Sequence, residues 1–147
     1  MPAMAVRAIG LNHVAFEVED LDATLAWYAR FLDVRLRGRR RTMAWIDLGD
    51  QFIALTEVTS VRPDAHRHVG LVVDDKEALR RALRAAGEDV AASGSLRVRD
   101  PSGNQLEIVD YRDVQFSKTG AVLRGMGLDG LGKHESALAE LREKGLL

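Results

Sequence analysis

Short stretches in which apolar and polar residues alternate recur along the chain and predict β-strands. The clearest is "HVAFEV", which places Val14, Phe16 and Val18 on one face and His13 on the other. A matching stretch, "HVGLVV", begins at His68. Each stretch is followed by an acidic turn and by a segment whose apolar residues recur every three or four positions, as in an amphipathic helix. The chain therefore contains two copies of one unit.

Three further strands are predicted after each helix. They are "DVRLRGR", "TMAWIDLG" and "QFIALTEV" in the first unit, and "DVAASG", "SLRVRD" and "NQLEIVDY" in the second, where "DPSGN" forms a turn. Each unit is thus a β-α-β-β-β module, with its helix on one face of the sheet. We predict an α+β fold in which the two modules form a curved mixed sheet, with the helices outside and a concave open face.

The C-terminal part of the chain follows a different pattern. "FSKTGAVLRGMGLDGLGKH" is glycine-rich and without a period, and "ESALAELREKG" reads as a short amphipathic helix. We therefore expect a single domain over residues 1–147, with module 1 at about residues 9–59, module 2 at about residues 65–112 and a C-terminal helical tail at residues 113–147.

Composition narrows the possible partners and cofactors. The chain is 46% hydrophobic and 29% charged with a net charge of −1, which gives no reason to expect nucleic acid as a partner. There is no apolar run of membrane-spanning length and no signal-peptide pattern, so we expect no membrane partner and a cytoplasmic location. Because the chain has no cysteine, a metal ion must be held by His, Asp or Glu.

Three potential metal ligands share the open face. His13 and His68 occupy equivalent positions in the two modules, each opposite the apolar face of its strand. Glu107 lies between Leu106 and Ile108, which face the helix, so it also turns to the open face. A carboxylate enclosed there needs a cation or hydrogen-bond donors to compensate for its burial. Two His and one carboxylate form the facial arrangement that suits Fe(II) and comparable divalent ions.

Other side chains on the same face are candidates for substrate binding. Aromatic residues there would wall an apolar pocket, and an arginine would pair with a substrate carboxylate. The alternative for the arginines is ordinary surface charge. The candidates are Trp45, Phe52, Thr56, Arg97 and Arg99.

The paired modules, with "LNHVAFEVEDLDATLAWYARFLDV", "HVGLVVDD" and "DPSGNQLEIVD", resemble the vicinal oxygen chelate superfamily over about residues 9–112. That superfamily contains glyoxalase I, extradiol dioxygenases, fosfomycin-resistance proteins and bleomycin-resistance proteins. Its metal positions fall on His13, His68 and Glu107. The resemblance implies a divalent ion, with Fe(II) the first choice and Mn(II), Ni(II) or Zn(II) as alternatives. It also implies a small substrate that chelates the ion through adjacent oxygens.

Departures from the superfamily pattern bear on the reaction. Ala54 takes the place of the fourth ligand of glyoxalase I, and Glu57 is expected on the helix side of its strand. Ala15 stands where fosfomycin-resistance enzymes carry threonine. The ligand set is most like that of extradiol dioxygenases, which need an acid/base partner, and Tyr111 or His66 could serve.

We therefore expect a metal-dependent enzyme, most like an extradiol-type dioxygenase. The alternatives are a lyase, isomerase or thiol transferase on the same metal site, and a binding protein of the bleomycin-resistance type that needs no metal. Relatives of this size are usually dimers, so a homodimer is expected. The site could lie within one chain or be shared across the dimer.

Overall fold

The computed structural model describes residues 5–147 and confirms the α+β fold. Residues 1–4 lie outside the described residues. They begin both the predicted domain and the N-terminal segment in which no signal-peptide pattern was found. Seven strands and four helices follow one another in these residues. In chain order they are β1 (His13–Val18), α1 (Leu21–Phe31), β2 (Leu36–Arg39), β3 (Met43–Asp47), β4 (Phe52–Glu57), β5 (Val69–Val73), α2 (Lys76–Ala85), β6 (Leu96–Arg99), β7 (Gln105–Asp110), α3 (Gly120–Gly125) and α4 (Glu135–Glu143).

The strands form two mixed sheets. The first has the order β1-β4-β3-β2 and the second the order β5-β7-β6. In each module the first strand runs parallel to the last, β1 to β4 and β5 to β7. This register sets His13 beside Phe52 and Gly70 beside Glu107. The duplicated topology therefore places equivalent positions of the two modules on equivalent open faces.

One predicted strand, residues 89–94, is irregular, and that prediction was wrong. Its backbone is instead held by Arg80, a buried residue of α2. The Arg80 guanidinium donates to the carbonyls of Ala91 at 2.7 Å and Gly94 at 2.6 Å, and its Nε donates to Glu77 at 2.9 Å. These bonds bind the segment to α2 rather than to a sheet edge. The second module is consequently β-α-β-β.

A carboxylate at the end of the last strand bonds the first turn of the helix in both modules. Glu57 accepts from the N–H of Leu21 at 2.8 Å, and Asp110 accepts from the N–H of Lys76 at 3.0 Å. Negative charge at a helix N-terminus satisfies an unpaired donor and complements the helix dipole. Glu57 thus lies on the helix side, as its position in the strand predicts.

The covered faces of both sheets contribute to one hydrophobic core together with α1 and α2. Helix α1 also packs against the second module. Its side chains Trp27, Tyr28 and Phe31 line the same apolar cavity as Leu106 and Ile108 of the second sheet. The Tyr28 hydroxyl adds a buried hydrogen bond of 3.2 Å to Asp100. The open face of each sheet is the one turned away from this shared core.

Candidate metal centre

The side chains of His68 and Glu107 meet on the open face of the second sheet. The Nε2 atom of His68 lies 3.3 Å from Oε2 of Glu107, and both side chains are partly exposed. Gly70 is the strand neighbour of Glu107, and a Cβ atom added to it would have no other atom within 4 Å. The space beside the carboxylate is therefore open. A nitrogen and an oxygen donor are therefore adjacent in an accessible position.

The Nδ1 atom of each candidate histidine ligand is within hydrogen-bond distance of an oxygen atom. His68 Nδ1 lies 3.1 Å from the carbonyl of His66, and His13 Nδ1 lies 2.9 Å from Oδ1 of Asn12. An oxygen acceptor at Nδ1 favours the tautomer with the proton there, which leaves the Nε2 lone pair available as a ligand. His66 thus supports the site through its backbone, and this contact does not engage its imidazole.

His13 lies on the first sheet, away from the other two candidates. Its ring stacks on Phe52 with the centroids 4.7 Å apart and an interplanar angle of 6°, and Arg37 lies 4.6 Å from the Phe52 centroid. Among residues 5–147, no three His, Asp or Glu side chains are grouped so that they could hold a metal ion. One chain therefore brings together two of the three predicted ligands.

The predicted aromatic and hydroxyl residues share the open face of the first sheet with His13. Strand pairing sets Trp45 beside Ala54, and Thr56 beside Glu17. The guanidinium of Arg40 lies 5.8 Å from the Trp45 ring centroid. This face thus combines partly exposed aromatic rings with arginine, which suits an anionic molecule with an apolar part.

The two predicted arginines of the second sheet differ in their surroundings. Arg97 is 54% exposed at its side chain and lies 3.6 Å from Oε2 of Glu107. The terminal nitrogens of Arg99 donate to the backbone carbonyls of Asp64 and Gly103 and to the side chain of Gln105. Arg99 therefore stabilises the β6–β7 turn, whereas Arg97 is positioned beside the candidate ligands.

Tyr111 is buried against the C-terminal tail. Its hydroxyl accepts from the backbone N–H of Lys118 at 3.3 Å, and the ammonium of Lys133 lies 3.6 Å from its ring centroid. Within residues 5–147, its hydroxyl forms no hydrogen bond with His68 or Glu107. Strand periodicity put Tyr111 on the face of Glu107, but the tail that covers it could not be placed from that pattern.

A cavity of about 420 Å³ adjoins His68 where the two modules meet. It is bounded by the end of β1 and by the segment that connects β4 to β5. Both acidic and basic side chains line it. The polar lining residues are Glu17, Arg62, Asp64, Arg67, His68 and Asn104. The size falls within the range of small-molecule sites.

The fold and this duplicated arrangement agree with a known family. Residues 10–108 match the family model of the Glyoxalase/Bleomycin resistance protein/Dioxygenase superfamily. The chain therefore belongs to that superfamily. The resemblance predicted from the sequence is confirmed. Within the described residues, no helix is both long and apolar enough to span a membrane. The cytoplasmic location stays a prediction.

Particular relatives have more specific names. The chain is 24% identical over 112 residues to a metallothiol transferase FosB of Staphylococcus epidermidis, which covers 67% of this chain and 79% of that protein. A glyoxalase family protein from Bacillus anthracis is similar in structure, with a TM-score of 0.62, 20% identity and coverage of 73% and 98%. A variant of the fosfomycin resistance protein FosX from Listeria monocytogenes, solved with Mn(II) and 1S,2S-dihydroxypropylphosphonic acid, has a TM-score of 0.59, 14% identity and coverage of 71% and 93%.

Proposed function

We propose that the chain is a metal-dependent enzyme whose divalent ion is held by His13, His68 and Glu107. The observation that carries the proposal is the contact between His68 and Glu107, with Nδ1 of each candidate histidine bonded to an oxygen. The donor set fits a first-row divalent ion, because imidazole nitrogens and a carboxylate leave open positions for substrate. Mn(II), Fe(II), Ni(II) and Zn(II) are all compatible with these donors.

We further propose that a second copy of the chain completes each site. His13 lies on a different sheet from His68 and Glu107, and residues 5–147 of one chain contain no group of three His, Asp or Glu side chains that could hold a metal ion. In a twofold dimer that placed the first sheet of one copy against the second sheet of the other, the reverse contact would form as well. Two equivalent sites would then form, each with ligands from both copies.

When bound, the ion would act as a Lewis acid that stabilises negative charge on adjacent substrate oxygens. The protein's own side chains bind and orient the substrate. Arg97, beside Glu107, would pair with an anionic group. Trp45 and Phe52, from the other copy, would enclose an apolar part and exclude water.

Within this class we favour an oxygen-independent addition or transfer on an anionic substrate. The FosB and FosX relatives carry transferase and resistance names, and Arg97 provides positive charge next to the candidate ligands. The dioxygenase alternative is supported by the two-His, one-carboxylate donor set, which suits Fe(II). Of its two candidate acid/base groups, Tyr111 is enclosed by the tail, which leaves His66 for this role.

Metal analysis tests the proposal. Protein purified without chelators should contain a stoichiometric divalent ion, and His68→Ala and Glu107→Gln should each lose it while remaining folded. His134→Ala and Glu143→Gln, in the tail, are matched controls that should retain the metal. Wild-type protein that binds no divalent ion after reconstitution would overturn the proposal and favour a metal-free binding protein.

Oxygen uptake separates the two enzyme classes. The protein is loaded anaerobically with Fe(II) or Mn(II) and then screened against catechols, and separately against small phosphonates or carboxylates with a thiol as co-substrate. Turnover that proceeds equally without oxygen supports the transferase class. Turnover that requires oxygen and consumes it in proportion to product would establish the dioxygenase alternative.

A further inference from the structure

The segment of residues 58–68, which connects β4 to β5, is irregular in backbone, and the candidate ligand His68 is its last residue. A metal ligand keeps its place only if hydrogen bonds and packing fix the segment that carries it. In this segment Asp64, four positions before His68, is bonded to the second sheet. The contacts of Asp64 therefore bear on how the ligand is held.

Asp64 is bonded to the second sheet through both its backbone and its side chain. Its N–H donates to the carbonyl of Gly103 at 3.1 Å, and its carbonyl accepts from Nη1 of Arg99 at 2.7 Å. Its carboxylate Oδ2 accepts from the backbone N–H of Gln105 at 3.0 Å. Gln105 precedes Leu106, the first residue of β7 that pairs with β5. The carboxylate thus extends the contact between the two segments beyond the end of the strand pairing.

The surroundings of the Asp64 carboxylate make the bond to Gln105 its main interaction. The Asp64 side chain is 18% exposed, whereas its salt-bridge partner Arg67 is 87% exposed and its Nε lies 3.7 Å away. Such an exposed ion pair contributes little. Beside this bond the chain is closely packed, because Gly103 has φ +83° and a Cβ there would lie 2.6 Å from Cβ of Pro63. The segment is therefore held against the β6–β7 turn by packing and by hydrogen bonds.

The bond between Asp64 and Gln105 joins the two segments that carry the adjacent candidate ligands. Glu107 comes two positions after Gln105, and His68 comes four positions after Asp64. Between Asp64 and His68, the carbonyl of His66 lies 3.1 Å from Nδ1 of His68. The segment that Asp64 fixes thus includes the acceptor that orients the His68 ring.

We propose that Asp64 is a positioning residue, which holds His68 and Glu107 in the geometry of the metal centre without binding the ion. The part of this inference that concerns metal binding rests on the proposed function. The Asp64 carboxylate limits the movement of the β5 segment relative to β7, so less conformational freedom is lost when an ion binds both ligands. Loss of the carboxylate should therefore weaken metal binding even when the fold is retained.

The Zn(II) affinity of two variants tests this role in a competition titration with a chromogenic chelator. Asp64→Ala removes the acceptor and should weaken Zn(II) binding about tenfold. Asp64→Asn keeps a side-chain oxygen that can accept from the N–H of Gln105, so its affinity should stay close to that of the wild type. Lys133→Met is the control for a general loss of stability, because it removes three hydrogen bonds in the tail and should leave the Zn(II) affinity unchanged.

Nitrogen NMR of the metal-free protein tests the same role without a metal. At about pH 8, above the usual pKa of histidine, Nδ1 of His68 should have the chemical shift of a protonated ring nitrogen in the wild type and in Asp64→Asn. In Asp64→Ala the shift should move toward that of an unprotonated nitrogen, because the carbonyl of His66 is no longer held beside it. The His68→Gln variant identifies the signal among the four histidines of the chain.

The outcomes separate this inference from the proposed function, and thermal unfolding verifies that each variant is folded. Wild-type protein that binds no divalent ion would contradict the proposed metal centre, whereas the nitrogen shifts would still decide whether Asp64 orients His68. An unchanged His68 shift in Asp64→Ala would overturn the inference. So would a wild-type Zn(II) affinity in Asp64→Ala, or an equal loss of affinity in Lys133→Met.

Discussion

Nε2 of His68 lies 3.3 Å from Oε2 of Glu107, although 39 positions separate them in the sequence. Parallel pairing of β5 with β7 produces this proximity by setting Gly70, two residues after His68, beside Glu107. His13 occupies the equivalent place in the first module but has no equivalent partner, because Ala54 stands where Glu107 stands in the second. The first and last strands are thus paired in the same way in both modules, but the side chains at equivalent positions differ in chemistry.

Asn12 is predicted to position the His13 imidazole for metal binding. Its Oδ1 lies 2.9 Å from His13 Nδ1, and loss of such a partner typically weakens metal affinity about 10-fold to 100-fold. Asn12→Ala should show this loss in a competition titration with a chromogenic chelator, whereas Asn12→Asp should retain most of the affinity. Unchanged affinity in Asn12→Ala would remove this positioning role.

The buried bond between Tyr28 and Asp100 is predicted to stabilise the contact between modules. Burial and the neighbouring Asp100 carboxylate raise the pKa of the Tyr28 hydroxyl, which therefore stays protonated and donates. Tyr28→Phe should lower the free energy of unfolding by about 1–2 kcal/mol, measured by urea denaturation. Tyr111→Phe is the control, since its hydroxyl only accepts a longer bond, and its loss should be smaller. An equal loss in both variants would contradict this prediction.

Acid stability is predicted to depend on Asp110. The hydrogen bond from Arg112, aided by the N–H of Lys76, holds the pKa of this carboxyl well below its usual value. Its contribution to stability is complete above the unfolded pKa of about 4 and is lost as the pH falls below it. Asp110→Asn should therefore show a shallower fall in the urea midpoint between about pH 4 and pH 2 than the wild type. Parallel curves would show that Asp110 does not supply this pH dependence.

Lys133 is predicted to fix the tail to the second module. Its ammonium donates to the carbonyls of Tyr111, Val114 and Phe116 at 2.6, 2.6 and 2.7 Å. Lys133→Met leaves these acceptors without a partner, at a cost of about 1–3 kcal/mol. Limited proteolysis should then cut the tail faster, while Lys144→Met, an exposed lysine in the same tail, should behave as the wild type. Equal protection in both variants would contradict this role.

Strand periodicity predicted the parts of the fold that depend on local pattern. It placed Glu57 on the helix side and Glu107 on the open side, because side chains alternate strictly along a strand. It could not predict that Arg80 would capture the backbone of residues 89–94, or that Lys133 would cover Tyr111. Both depend on contacts between distant segments, which no periodicity encodes. For the same reason the sequence left open whether one chain or two would form the candidate site.

Subunit complementation tests the central claim that the metal site is shared between two copies. Heterodimers carrying His13→Ala in one copy and His68→Ala in the other are isolated through two different affinity tags. We predict that these heterodimers bind one divalent ion, because one site keeps all its ligands, and that homodimers of either variant bind none. Heterodimers without metal, or metal retained at wild-type stoichiometry in either homodimer, would contradict the account.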